Sequence, residues 1–246
     1  MKTAFYGRIV FGASAVWFGV IALMWYDVYT WQNLHHIWSL PFGAIIGGCL
    51  MAAQIAGGIG IQYPRWRWAA IVLGFVYLCF SLACVPDTIA ASNIYDRYGG
   101  SFFVFFSLVC GAIALFAATE ANAAKAVMLG RVARVGLGVC TISFMLGQAL
   151  LLRETAQLVP KWIPPSQMFW AIFTTAAFGL AAIAILINRQ ARLAMRLMTL
   201  MLALFGVIIW VPRVIVHPKA HFNWSECVLT FLVTGAAWVV ADSKSF

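Results

Sequence analysis

Eight apolar stretches, near residues 6–26, 41–62, 66–85, 101–119, 131–152, 166–187, 192–212 and 224–241, dominate this 246-residue chain, and none holds more than two charged side chains. A helix needs roughly 17–25 mostly apolar residues to cross the hydrocarbon core of a bilayer. Each stretch meets that length, so the pattern predicts an all-α polytopic membrane protein with eight transmembrane helices. With 64% hydrophobic and 9% charged residues, the chain has too little polar surface to cover a soluble globule. Its net charge of +9 contains no long basic run that would suit nucleic acid. In a membrane protein such an excess reads as the positive bias of cytoplasmic loops. The opening Met1 to Arg8 followed by an apolar run imitates a signal peptide. That run continues to about Tyr26, and its one small-x-small site, Ala13-Ser-Ala15, lies inside it, so the expectation is an uncleaved first span.

The prolines punctuate the spans. Pro64, Pro86, Pro160, Pro164, Pro165 and Pro218 fall in or beside expected connections, and Pro212 falls at the end of its helix. The connection 27–40 mixes Trp, Tyr and His in the manner of the headgroup region and is expected to lie along the membrane surface. On the face that carries the N-terminus stand Lys2, Arg8, Arg65, Arg67, Lys125, Arg131, Arg134, Arg189, Arg192, Arg196 and Lys244, 11 cations; opposite stand Arg97, Arg153, Lys161, Arg213 and Lys219, 5. Both termini are therefore expected in the cytoplasm.

An internal repeat divides the chain. Trp38-Ser-Leu-Pro41 has the shape of Trp162-Ile-Pro-Pro165 at an offset of 124 residues; Ser101 and Ser225 share that offset, and Pro86 and Pro212 come close to it. The reading is two four-helix units, 1–126 and 127–246, parallel about an axis along the membrane normal. In the second span Ala44, Gly48, Ala52, Ala56 and Gly60 recur every fourth residue beside the pair Gly43 and Gly47, which predicts a close-packing face. Gln54 and Gln148 sit within spans, where each can either hydrogen-bond a neighbouring helix or face a ligand cavity. Glu120 is expected at a cytoplasmic helix end, solvated or paired near Lys125.

The run Leu158-Val-Pro-Lys-Trp-Ile-Pro-Pro-Ser-Gln-Met-Phe-Trp170, the turn Asn188-Arg-Gln-Ala-Arg192 and the segment Pro218-Lys-Ala-His-Phe-Asn-Trp-Ser-Glu226 together resemble DoxX-like membrane proteins, most closely over 130–242. The resemblance implies a bacterial cytoplasmic-membrane protein, in a family sometimes associated with quinone-linked or thiol redox systems. Where DoxX-like proteins often carry a His before the Val-Pro-x-Trp turn, this chain has Gln148.

Polar residues expected on the outer face supply the candidate site: Arg213, His217, His221, Trp224 and Glu226, with His35 and His36. Imidazoles with a carboxylate can hold zinc or copper, or exchange protons with a quinone headgroup. Equally, His and Trp favour the wet interface, and a carboxylate at a helix start complements the dipole. The spacing His217-Pro-Lys-Ala-His221 lacks the regularity of zinc motifs, so no metal is assigned; His35, His36, His217 and His221 remain weak metal candidates. Asp87 and Arg213 each follow the matched prolines, which suggests an ion pair between the halves. Six cysteines include no C-x-x-C motif; Cys84 and Cys227 alone lie near outer helix ends, where pairing is left open.

Three function classes follow. The best fit is a non-catalytic membrane component that binds quinone or lipid beside redox-complex subunits. The others are a quinone-linked oxidoreductase subunit and a small-molecule transporter, the latter opposed by the scarcity of charge within the spans. A reporter that is active only in the cytoplasm is expected to signal when fused at either Met1 or Phe246. Signal from one end alone would break the eight-span count.

Overall fold

The computed structural model describes residues 3–26, 35–63, 65–91 and 93–243. Among them there is no strand, and eight helices are long and apolar enough to cross a membrane. They are built on α1 (Thr3–Trp25), α2 (Gly43–Gly60), α3 (Arg67–Ala83), α4 (Gly100–Ala118), α5 (Ala123–Leu150), α6 (Gln167–Leu186), α7 (Ala191–Phe205) and α8 (His221–Ala241), the third span running on to Ala90 and the seventh to Val216. In lipid no water satisfies a free backbone amide, so each crossing closes its own hydrogen bonds. The chain is a polytopic membrane protein.

Each helix packs on its sequence neighbour, and α8 closes the circuit by packing along α1. Trp238 near the end of α8 stacks on Tyr6 near the start of α1, at 6.3 Å between centroids. At the opposite end Trp25 stacks on His221 at 4.6 Å, so the two helices run antiparallel along their full length. Helix α8 also touches α4, which leaves α4 and α8 as the two most enclosed spans. Small residues make this approach close. A Cβ on Gly235 would lie 2.5 Å from the Phe11 nitrogen, and one on Gly111 would lie 2.7 Å from the Ala236 Cβ. Between α1, α3 and α4 lies a column of fully buried rings: Phe11 meets Tyr77 at 5.9 Å, Tyr77 meets Phe80 at 6.3 Å, and Phe80 meets Phe105 at 5.6 Å. A second column joins Phe144, Phe178 and Phe205.

The packing face of α2 differs from the expected stripe. Gly43, Gly47, Met51, Gln54, Gly57, Gly58 and Gly60 are buried, whereas Ala44, Ala52 and Ala56 are exposed. A strict four-residue spacing advances about 400° per step, so five such positions drift well around the helix. The spacing 43, 47, 51, 54, 58 stays on one side. It also carries Gln54 inward, where an amide finds a partner that lipid cannot offer.

Pro86, expected in or beside a connection, and Pro212, expected at a helix end, both lie within spans. Pro86 stands in the first turn of a short helix, Val85–Ala90, that extends α3 beyond Cys84. Its missing N–H costs little there. Pro212 likewise stands in the first turn of Val211–Val216, which follows a π-helical turn, Gly206–Trp210, at the end of α7. That wide turn interrupts the regular ladder just where proline has no donor to give. Of the surface-lying segment expected over 27–40, residues 27–34 fall outside the described residues; the described part is a single turn, His35–Trp38.

Gly235→Ala is expected to destabilise the fold by about 1–3 kcal/mol through overpacking. Gly74→Ala, whose Cβ would meet only Ala112 at 3.5 Å, is expected to leave stability unchanged or raise it. Denaturant titration of the two variants in mixed micelles checks the contrast.

Candidate functional site

The polar groups of interest gather on the face opposite the termini, but they form separate assemblies. In the first, the short helix Val85–Ala90 places Asp87 in its first turn, 9% exposed. Thr88 steadies that turn, its N and Oγ1 both donating to the Cys84 carbonyl at 3.2 Å. The turn His35–Trp38, just before α2, presents two imidazoles to the Asp87 carboxylate. His36 Nε2 is 3.1 Å from Asp87 Oδ1 and His35 Nε2 is 3.8 Å from the same oxygen. The two rings lie 4.1 Å apart. Asp87 Oδ2 is buried and has no hydrogen-bond partner among the described residues.

A second assembly surrounds Tyr95 and Asp96. Asn93 caps the turn Ile94–Arg97: its side chain accepts from the Asp96 nitrogen at 2.9 Å, and its amide donates to Asp96 Oδ2 at 2.6 Å. Ser101 donates to Asp96 Oδ1 at 2.7 Å, so both carboxylate oxygens are engaged. The Tyr95 ring lies against Gly100, where any side chain would collide with it, and close to Gly147. Burial pushes the Tyr95 phenol well above its usual range, and Glu226, Asp96 and Cys84 add to the rise. The phenol therefore stays protonated. Glu226, from the first turns of α8, belongs to this neighbourhood.

The third assembly is an open cleft of about 480 Å³ beside the π-helical turn. Its lining includes Gln157, Lys161, Trp162, Gln167, Ile208 and Arg213. The Arg213 guanidinium lies 5.2 Å over the Trp210 ring, and Gln167 ties the loop shut by donating to the Val159 carbonyl. Two indoles brace neighbouring loops in one manner: Trp170 Nε1 donates to the Pro164 carbonyl at 2.8 Å, and Trp224 Nε1 to the Pro218 carbonyl at 3.0 Å.

The expected convergence of His35, His36, Arg213, His217, His221, Trp224 and Glu226 on one site is thus corrected. His221 is buried flat against Trp25, and His217 is exposed. Neither belongs to a group of three ligating side chains among the described residues, whereas His35, His36 and Asp87 do. The expected Asp87–Arg213 pair is also not formed: Asp87 faces the two histidines, and Arg213 faces Trp210 and the cleft. Counting charges along the chain gives each residue its depth, not its position around the bundle.

Gln54 and Gln148 bridge helices. Gln54 Nε2 donates to the Ala15 carbonyl at 3.0 Å across α1 and α2, and Gln148 Oε1 accepts from Thr174 at 3.2 Å and Thr175 at 3.3 Å across α5 and α6. Glu120 pairs with Arg67 at 3.0 Å and Lys125 at 3.6 Å. Its carboxyl is held below its usual range first by the Asn122 backbone N–H, then by those cations. All six cysteines, Cys84 and Cys227 included, are free thiols. Sequence reasoning missed Tyr95 and Asp96 altogether; the Asn93 cap three residues before Asp96 is the signal that would have located that turn.

No protein-family model, curated protein or solved structure matches this chain. The double exchange Asp87→Arg with Arg213→Asp is expected to give no recovery of the stability or expression lost in either single variant. Mutual rescue in thermal melts would restore the inter-half pair.

Proposed function

We propose that this protein is a non-catalytic component of a bacterial cytoplasmic membrane that binds an anionic lipid at its outer face, in the cleft beside the π-helical turn. The observation that carries the reading is the composition of that cleft. Lys161 and Arg213 supply two cations, Gln157 and Gln167 supply amide groups, and the named lining contains no carboxylate, a set matched to a phosphate headgroup. Trp162 is exposed at its rim, as an indole at the headgroup level would be, while Val207, Ile208 and Ile209 offer an apolar wall for an acyl chain. A π-turn at the site agrees with the frequent placement of such turns beside functional groups.

A quinone is the second reading. Its carbonyl oxygens can accept from Arg213 or a glutamine amide, and the DoxX-like motifs over 130–242 favour that class. Association with a redox complex rests on that resemblance alone. The doubled four-helix unit rests on the sequence offset that relates Trp38 to Trp162 and Ser101 to Ser225. Termini in the cytoplasm rest on the loop cations, 11 against 5.

Native mass spectrometry of the chain extracted gently from its own membrane tests the proposal. A phospholipid-sized adduct is expected, reduced at least tenfold in occupancy by Lys161→Gln with Arg213→Gln. A quinone mass in its place moves the function to the second reading. A bare chain, or an adduct indifferent to those substitutions, removes the cleft from consideration.

A further inference from the structure

We infer that His35, His36 and Asp87 form a binding site for a divalent transition-metal ion of the zinc class, separate from the lipid cleft. The two histidines are consecutive, and consecutive side chains on a helix ordinarily point about 100° apart. Here both Nε2 atoms turn to one carboxylate oxygen, 3.1 and 3.8 Å away, and the three ligand atoms lie within 4.8 Å of one another. Metal–ligand bonds of about 2.0–2.1 Å in a tetrahedral shell place ligand atoms roughly 3.3 Å apart. Small rotations of the rings therefore suffice to admit an ion.

A histidine–aspartate hydrogen bond accounts for only part of this arrangement. It uses His36 and one oxygen of Asp87, leaving a second imidazole at the same oxygen without a role in that bond. The other carboxylate oxygen, Oδ2, remains buried and unpartnered. Asp87 forms no ion pair with Lys or Arg among the described residues. A buried carboxylate without a neighbouring cation is costly, and a bound dication removes that cost directly. Two imidazole nitrogens and one carboxylate oxygen are the borderline donors that zinc and its first-row neighbours prefer, and three protein ligands leave a fourth position for water.

The ligands come from two segments, the turn preceding α2, which packs against α3, and the extension of α3. An ion would cross-link them at the outer face. Its binding to the folded state alone would raise the melting temperature as metal is added.

The test uses the full chain in detergent micelles, stripped with chelator and titrated with Zn²⁺ alone. One zinc per chain is expected, with a zinc-dependent rise in melting temperature. Asp87→Asn, and separately His35→Gln with His36→Gln, are expected to weaken binding at least ~100-fold, beyond the loss typical of a ligand's supporting partner. His217→Gln, at the exposed histidine outside the cluster, is expected to bind zinc as the parent does. Absence of binding by the parent at micromolar zinc, or equal binding by the parent and both cluster variants, overturns the site. Should the cluster variants aggregate, zinc K-edge absorption of the parent decides: a first shell with two imidazoles and oxygen supports the assignment, and one with sulfur or without imidazole rejects it.

Discussion

The close approach of α8 to α1 and α4 is the contact on which the rest of the bundle depends. In lipid, apolar side chains gain nothing from merely meeting one another, since acyl chains are equally apolar. What favours association is shape, and shape here comes from missing side chains. Gly235 admits the backbone of Phe11, and Gly111 admits Ala236. With the last helix seated there, the circuit of neighbouring helices closes and the aromatic column of Phe11, Tyr77, Phe80 and Phe105 is enclosed, while the column of Phe144, Phe178 and Phe205 on the other side is buried only at Phe178.

Polar side chains within the spans serve the same docking. Gln54 reaches a carbonyl of α1 and Gln148 gathers two hydroxyls of α6, so each amide joins a pair of helices already adjacent in sequence. Gly58, one turn from Gln54 on the buried side of α2, lies against Gly12 and Ala15 of α1 and brings the backbones near enough for its reach. The residues with chemistry to offer lie instead at the rim opposite the termini, where short helices and capped turns replace regular spans. There Asn93 secures a turn through two side-chain bonds to Asp96, and Trp170 and Trp224 each secure a loop through one.

Span number was legible in the sequence because hydropathy over some twenty residues registers a bilayer directly. Depth was legible too: His35, His36, Asp87, Arg213 and Glu226 do fall toward one end of the bundle. Lateral position was not. Asp87 and Arg213 each follow a proline in the sequence, yet nothing in a linear pattern says which side of the circuit each faces, and the histidines reach Asp87 first. Pro86 and Pro212 misled for a related reason. Proline marks a missing donor, and a short helix begun afresh, or a π-turn just before, accommodates that absence without ending the span. The four-residue stripe of α2 failed by drift, whereas the mixed spacing through Gln54 held its side.

The π-helical turn Gly206–Trp210 also alters how the span Ala191–Val216 must be read as a whole. One residue beyond the regular count turns everything after it by about 100° about the helix axis. The Arg192 and Arg196 half and the Arg213 half are therefore out of phase. A single helical wheel drawn from Ala191 to Val216 misassigns the direction of one half or the other. The span Ala191–Val216 is two rotational frames joined at a seam, and the seam decides that Arg213 meets Trp210 and the cleft.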